Sequence, residues 1–385
     1  MKSILVISGS RSDYDLLFPI LQNLKKSKKI DLKLAVTGSH LNKGFGLTYK
    51  KIIKDNFKID YKIPILGNQN NLLIVINAIS NIIRKFYLIL KKSKPNFVLV
   101  LGDRYEIFGA VIAAANCNIP IIHIAGGEYS EASIDECYRN SITKFSNIHF
   151  VASKKYLNKV KQLGENPSYI FNVGSTGVDN IINNNYLSKF QIESCLNFKF
   201  LKKNFLITLH PLSTLTKEQN IKNFINLLEV LNRFKNVGLI FTYPNSDFQN
   251  YFIVNLVKNF IKNKKNCKLI ISLGRELYLS CIKICDLVIG NSSSGIIEVP
   301  YFKKPTVNIG DRQLGRLRHQ SIIDTNFNKK NIYLSIKKGL SINFVKKIKN
   351  QKLFFGNGSS SIKIVKIIEN LDSKISINKK FYEII

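Results

Sequence analysis

Short apolar runs of four to seven residues alternate with amphipathic helical stretches along nearly the whole chain. Ser3–Gly9, Leu32–Gly38, Phe97–Gly102, Ile119–Ile124, Ile148–Ala152 and Tyr169–Val173 read as strands, and Ile59–Leu66 as a short one. Helical stretches separate them, among them Asn70–Ser93, Tyr105–Asn116, Ile134–Phe145 and Lys155–Leu163. A strand that is apolar at successive positions must be covered on both faces. Strands of that kind joined by helices form a parallel sheet between two helical layers.

The pattern lapses between Asn183 and Lys203, where Asn and Lys dominate, and restarts at Phe205–Leu209. Val237–Thr242, Lys268–Ser272, Leu287–Gly290 and Thr306–Ile309 follow as strands, with helices at Lys217–Phe234, Phe248–Asn263 and Arg275–Ile284. At 385 residues the chain exceeds one ordinary core. Two doubly wound α/β domains are expected, with boundaries at 1–186 and 200–365 and a C-terminal helix and tail at 366–385. Ligands of such sheets bind outside the carboxyl ends of the strands. Two such domains suggest a central cleft between them.

The net charge of +33 invites a nucleic-acid reading. The excess is lysine spread over the whole chain: of 58 Lys and Arg only nine are Arg. No zinc finger, basic arm or RNA-binding motif accompanies it, so no nucleic-acid partner is expected. An anionic small substrate suits the same field. Seven arginines fall in polar, Gly-flanked stretches: Arg11, Arg104, Arg139, Arg275, Arg312, Arg316 and Arg318. Where lysine serves for bulk charge, arginine marks positions that need a planar fork for phosphate or carboxylate. No apolar run reaches the ~18 residues of a membrane span, and the opening MKSILVISGS reads as a strand rather than a signal peptide. A cytoplasmic protein without a membrane partner is expected. The six cysteines form no CxxC pair and read as reduced, buried thiols. The five histidines lack metal-ligand spacing, and no metal or cofactor is expected.

Polar motifs follow the strands. Residues 102–144 hold Asp103 after FVLVLG, Glu128 after IIHIAGG, and Asp135 at the start of IDECYRNSITK. Carboxylates at neighbouring strand tips repel one another, which suits acid–base work. Asp135 also reads as an ordinary first-turn acid, a role for which Glu136 competes. Arg104 and Arg139 lie in the same stretch. GSRSDY places Gly9, Ser10 and Arg11 before a helix, an arrangement suited to phosphate oxygens. Ser12 or Asp13 capping that helix is the plainer alternative. TGSHLNKGFG holds His40, a candidate partner for a substrate hydroxyl or a structural histidine. His123 and His149 lie inside apolar strands and read as core. ITLHP puts His210 at a strand tip. GNSSSGIIE (residues 290–298) opens a helix with Ser292 and Ser293 and carries Glu298, a candidate ribose ligand. GDRQLGRLRHQS gathers Arg312, Arg316 and Arg318 in one loop.

GSRSDYDLLFPIL, TGSHLNKGFGLTYK, GDRYE, HIAGGE, IDE..R..ITK, TLHP, GNSSSGIIE and GDRQLGRLR resemble, in order and spacing, the hydrolysing UDP-N-acetylglucosamine 2-epimerases. The resemblance runs from about residue 3 to about residue 322. It implies a GT-B-like fold: two Rossmann-like domains facing a central cleft, the first with catalytic acids, the second binding the nucleotide. It implies elimination of UDP from C1 and C2 of the sugar, then hydration with inversion at C2. UDP-N-acetylglucosamine would yield N-acetylmannosamine and UDP, a step towards sialic or legionaminic acids. Asp103, Glu128 and Asp135 match the family's catalytic carboxylates. Arg11, Ser292, Ser293 and Glu298 match nucleotide-binding positions, with Glu298 on the ribose, and His210 matches a histidine near the diphosphate. His40, Arg104, Arg139 and Arg316 are further substrate-binding candidates from the residues themselves, and the resemblance implies a homodimer.

Two positions depart from the family pattern. Ala125 stands where HIHGGE or HIEGGE is frequent, and Asn140 where a histidine often follows the arginine. Loss of polar groups there suits a less polar sugar edge, as in UDP-2,4-diacetamido-2,4,6-trideoxyglucose. Two other readings are a GT-B glycosyltransferase and a nucleotide-sugar- or RNA-binding protein without turnover.

Overall fold

The computed structural model describes residues 1–65, 72–129, 134–212, 214–244, 250–372 and 375–384. The chain divides into two compact units. One comprises Met1–Glu128, Ile134–Ile182 and Phe355–Ile385; the other comprises Tyr129–Ser133 and Asn183–Phe354.

The first unit carries strands β1 (Lys2–Ser8), β2 (Ile30–Val36), β3 (Tyr61–Lys62), β4 (Phe97–Leu101), β5 (Ile121–Ile124), β6 (Ile148–Val151) and β7 (Ile170–Asn172). They lie in the order β3-β2-β1-β4-β5-β6-β7, every described pairing parallel. The two-residue period of β1 explains why its run is apolar throughout. Ile4 and Val6 pack in one core with Leu17, Leu21, Ile364 and Ile368. Leu5 and Ile7 pack in the opposite core with Ile82, Phe86, Ile107 and Val111. All are fully buried. Each such side chain contributes about 1.5–3 kcal/mol.

The C-terminal segment departs from the expected boundaries. The helix Ser360–Asn370, assigned from sequence partly to the second domain and partly to a tail, belongs to the first unit. Its apolar face, Ile364, Val365 and Ile368, completes the core around the helix Arg11–Lys26. Its first turn is held by the buried Asp179, which accepts from the amides of Ser360 (2.9 Å) and Ser361 (2.6 Å). A carboxylate at a helix N-terminus meets both the unpaired amides and the dipole. The tail is tied as well: Lys379 Nζ donates to Glu165 Oε2 at 2.7 Å and to the Ser146 carbonyl at 2.6 Å.

The second unit carries β8 (Lys203–Thr208), β9 (Val237–Thr242), β10 (Cys267–Ile270), β11 (Leu287–Gly290), β12 (Thr306–Ile309) and β13 (Ile322–Thr325), in the order β10-β9-β8-β11-β12-β13. These pairings are parallel too. The helix Lys189–Leu196 stands inside the stretch read from sequence as weakly periodic, started by a Ser188–Gln191 capping box. β13 was not legible either: IIDT is short, carries Asp324 and lies half-exposed at a sheet edge. The ends of the expected elements at Leu66, Asn70–Asn71 and Phe248–Gln249 lie outside the described residues. Among the described residues, no helix is long and apolar enough to cross a membrane.

Each sheet reverses its strand order once, at the β1/β4 pair and at the β8/β11 pair. Loops leaving adjacent strands in opposite directions open a crevice at such a point. The loops there begin at Gly9 and Gly102 in one unit, and at Leu209 and Asn291 in the other. These are the loops that carry most of the polar motifs.

Candidate active site

Three acids expected from sequence lie beyond the ends of β4 and β5. Asp103 follows β4 and is about one-fifth exposed, with 22% of its side chain accessible. Glu128 is buried beyond β5, and Asp135 opens the helix Asp135–Phe145. Arg139, one turn along that helix, is 3% exposed and joins the group. Its Nη2 pairs with Asp103 Oδ2, and its Nη1 donates to the Glu128 carbonyl at 2.9 Å and to Glu136 Oε2 at 3.1 Å. Glu136 Oε1 in turn pairs with Lys159 Nζ. Arg139 was expected to bind substrate. Its terminal nitrogens are committed to Asp103, Glu136 and the Glu128 carbonyl, so it fixes the Asp103 carboxylate and the backbone at Glu128. A fixed positive charge also offsets part of the repulsion expected between these acids.

His123 supports the same group from β5. Burial holds its pKa down to about 3, so the ring is neutral. Its Nε2 lies 2.8 Å from the Gly102 carbonyl, which can only accept, so that nitrogen carries the proton. The Thr143 hydroxyl lies 3.2 Å from the unprotonated Nδ1 and 2.9 Å from the Arg139 carbonyl, and its single proton can go to either acceptor. His123 is thus a core histidine, as its place in an apolar run suggests, fastened between the residue before Asp103 and the helix of Arg139. The two departures from the family pattern flank this group. Ala125 adopts a left-handed φ of 66°, which costs a non-glycine residue ~1 kcal/mol. Asn140 Nδ2 lies 3.4 Å from Glu136 Oε1.

The loops after β1 and β2 are held from beneath. Ser10, rather than Ser12 or Asp13, caps the helix Arg11–Lys26, accepting from the Asp13 amide at 3.3 Å. Arg11 is the first residue of that helix and half-buried. His40 does not reach outward as a substrate ligand would. It is fully buried, with Nε2 2.9 Å from Ser8 Oγ and Nδ1 2.8 Å from Thr48 Oγ1. Burial, helped by the Arg104 charge, lowers its pKa to about 4. It fastens the loop after β2 to the end of β1. Arg104 Nε donates to Glu106 Oε1 at 2.5 Å.

In the second unit the expected residues gather around a side chain the sequence reading passed over. Asn291, fully buried, accepts from the His210 amide at 2.7 Å and donates to the His210 carbonyl at 2.9 Å. Its own carbonyl accepts from Gln313 Nε2 at 2.9 Å and Arg312 Nη1 at 3.3 Å. One asparagine therefore ties together the loops after β8, β11 and β12. Ser292 caps the short helix Ser293–Ile297, accepting from the Ser294 amide, and Tyr278 donates to Ser294 Oγ at 2.9 Å. Glu298 ends that helix. Burial, with the Glu298 charge adding to it, pushes the Tyr186 pKa up to about 12. Arg316 Nε donates to the Tyr129 carbonyl at 2.8 Å, both residues lying in this unit. Among the described residues, no group of three His, Cys, Asp or Glu side chains could hold a metal ion.

Glu106, Glu136, Lys159, Asn291 and Gln313 were not among the sequence candidates. Only the three-residue spacing of Glu136 and Arg139 on one helix face carried a signal for any of them.

Two parallel α/β sheets, each with its polar loops at a switch point, define a GT-B-like protein. A solved UDP-GlcNAc 2-epimerase from Neisseria meningitidis, bound to UDP-GlcNAc, has the same fold, with a TM-score of 0.82 at 20% identity over 96% of this chain and 99% of that one. The family model for UDP-N-acetylglucosamine 2-epimerase matches residues 22–369, and the chain belongs to that family. It is 40% identical to a GDP/UDP-N,N'-diacetylbacillosamine 2-epimerase (hydrolyzing) of Campylobacter jejuni subsp. jejuni serotype O:2 over 328 residues, 85% of each chain. It is 37% identical to the polysialic acid biosynthesis protein P7 of Escherichia coli over 386 residues, 100% of this chain and 98% of that one.

Proposed function

We propose that the protein is a hydrolysing 2-epimerase of a UDP-linked 2-acetamido sugar. The observation that carries the reading is Arg139 held against the Asp103 carboxylate and the Glu128 carbonyl, on the helix that Asp135 opens, in a member of this family. The C2 proton of such a sugar is weakly acidic, so its removal must accompany departure of the diphosphate. A carboxylate takes the C2 proton as the C1–oxygen bond breaks, leaving UDP and a glycal. Water then adds: hydroxyl goes to C1 and a proton returns to C2 from the opposite face. The sum is substrate plus water to UDP plus the free 2-epimeric sugar. The departing diphosphate oxyanion needs fixed dipoles and positive charge most; the substrate-binding candidates that carry such groups are Arg11 and Arg104 in the first unit and Ser292, Ser293 and Arg316 in the second. His210 stands near it, and Glu298 accepts from the ribose hydroxyls.

Within that class, UDP-2,4-diacetamido-2,4,6-trideoxyglucose is the favoured substrate. The 40% identity to a hydrolysing epimerase named for that sugar supports this, as does Ala125 in place of a larger polar residue. UDP-N-acetylglucosamine is the second reading, favoured by the likeness to a polysialic acid biosynthesis protein. Each nucleotide sugar is incubated with the protein in D2O and followed by proton NMR. The expected product is a free 2-epimeric sugar with deuterium at C2, formed at least about tenfold faster from the diacetamido substrate. UDP release that depends on an added acceptor would indicate a glycosyltransferase instead. RNA binding without UDP release would indicate a binding protein.

Glu136 tests the supporting layer. Glu136→Gln removes a charge that steadies Arg139 and, through it, Asp103. Turnover is expected to fall on the order of 10- to 100-fold, the scale of a small misplacement of a reacting group, with Glu136→Asp recovering part of it. Turnover unchanged in Glu136→Gln would assign the orienting role to the other partners of Arg139.

A further inference from the structure

Beneath the loops after β1, β2 and β4 lies a charged cluster for which the proposed chemistry has no use. Glu106 is fully buried, and Asp13 nearly so at 7% exposed. Glu106 Oε1 receives Arg104 Nε at 2.5 Å. Glu106 Oε2 and Asp13 Oδ2 are both sealed from solvent, with no hydrogen-bond partner among the described residues. The place is built around the Glu106 side chain. A Cβ on Gly9 would stand 2.8 Å from Glu106 Cγ, and one on Gly38 would stand 2.7 Å from Glu106 Oε1. Gly9 begins the loop after β1, and Gly38 the loop after β2. Three loops therefore close over one carboxyl group, and two glycines make room for it.

The charges do not balance. The charges of Glu106 and Arg104 both reach Asp13, and His40, which the Arg104 charge also reaches, is neutral. An uncompensated charge sealed from water is costly, and the usual resolution is a proton. We infer that Glu106 and Asp13 are positioning residues for Arg104: Glu106 pins the guanidinium, and Asp13 takes up a proton that neutralises the cluster when a phosphate-bearing ligand binds above it. This rests on the functional reading above, in which Arg11 and Arg104 receive a nucleoside diphosphate. Burial raises the Asp13 pKa to about 6, Glu106 pushes the same way, and Arg104 and the Ser10 hydroxyl oppose them.

The sign of the coupling follows. An arriving anion disfavours the ionised form of Asp13, so binding takes up a proton in a window above the ligand-free pKa. Below that window Asp13 is already protonated, and well above it Asp13 stays ionised in both states. The probe is UDP, titrated by calorimetry from pH 5 to 9 in buffers of different ionisation heat. UDP's own phosphate ionises in this range, so the reading is the difference between proteins. Wild type should take up more protons than Asp13→Asn, by up to about one per UDP. In Glu106→Gln the window should move to lower pH, because a charge that raised the Asp13 pKa is gone. UDP affinity should also fall by about tenfold, as Arg104 loses a charge-assisted partner.

Equal uptake in wild type and Asp13→Asn, with UDP bound by both, overturns the inference and leaves the epimerase reading intact. If Asp13→Asn does not fold, the wild-type and Glu106→Gln windows decide, and coincident windows overturn it. Failure of all folded proteins to bind UDP overturns both readings.

Discussion

Replacing Asp103 with Asn should lower turnover about 100- to 10,000-fold, the range for loss of a positioned acid or base, while UDP affinity stays within about threefold. Asn keeps the shape of the side chain and removes its ability to take or return a proton. The partner left behind, Arg139, is 3% exposed, and stranding a buried charge can cost ~3–5 kcal/mol. Here the cost should be smaller, because Arg139 keeps Glu136 Oε2 at 3.1 Å and the Glu128 carbonyl at 2.9 Å. The variant should therefore fold, and the loss should fall on kcat. Steady-state UDP release and calorimetric UDP binding measure the two separately. Wild-type turnover would remove Asp103 from the chemistry. Parallel loss of UDP binding would make it a structural or binding residue.

The alternation of apolar runs was enough to give two parallel sheets, because strands covered on both faces leave few other arrangements. It failed where burial was partial. β13 sits at an edge, so IIDT did not need to be apolar throughout. The helix Ser360–Asn370 shows a different limit. Its apolar stripe was visible in sequence, but periodicity carries no information about which core a stripe covers. That was decided by Asp179 and the face of the helix Arg11–Lys26.

The site divides in the same way. The places of Asp103 and Glu128 beyond strand ends, and of Asp135 at a helix start, were legible because acids are scarce in this chain and the apolar runs are clear. The side chains that fasten the neighbouring loops were not. Glu106 read as one helix residue among many, and its burial follows from Gly9 and Gly38 lying against it, two contacts far apart in sequence. Asn291 was hidden by its serine neighbours in a chain rich in asparagine. His40 stood open between a substrate ligand and a structural histidine. A polar residue after a strand looked like a ligand, whereas Ser8 and Thr48 occupy both its nitrogens.

Gly290 makes the sharpest structural case in the second unit. It pairs with Thr208 and Asn308 at the centre of the sheet, with φ at 142°, where side chains are rarely accommodated. A Cβ there would lie 1.8 Å from the Thr208 carbonyl oxygen and 2.6 Å from its carbon. Both are backbone atoms of an interior strand, so no rotamer change relieves the clash. The β8–β11 ladder would have to open, carrying Asn291 and its hold on His210, Arg312 and Gln313 with it. Gly290→Ala should cost more than about 4 kcal/mol and lead to aggregation or a melting point lower by ten degrees or more, on the order expected for that loss. Gly274→Ala is the control. Its φ of 67° is also left-handed, but nothing lies within 4 Å of the added methyl group, so only the backbone preference is lost, ~1 kcal/mol. Thermal melting of both variants, with UDP binding on whatever remains folded, separates the clash from the φ penalty. Similar melting points for the two would mean that the β8–β11 ladder yields easily, and that Asn291 is not held as rigidly as its hydrogen bonds imply.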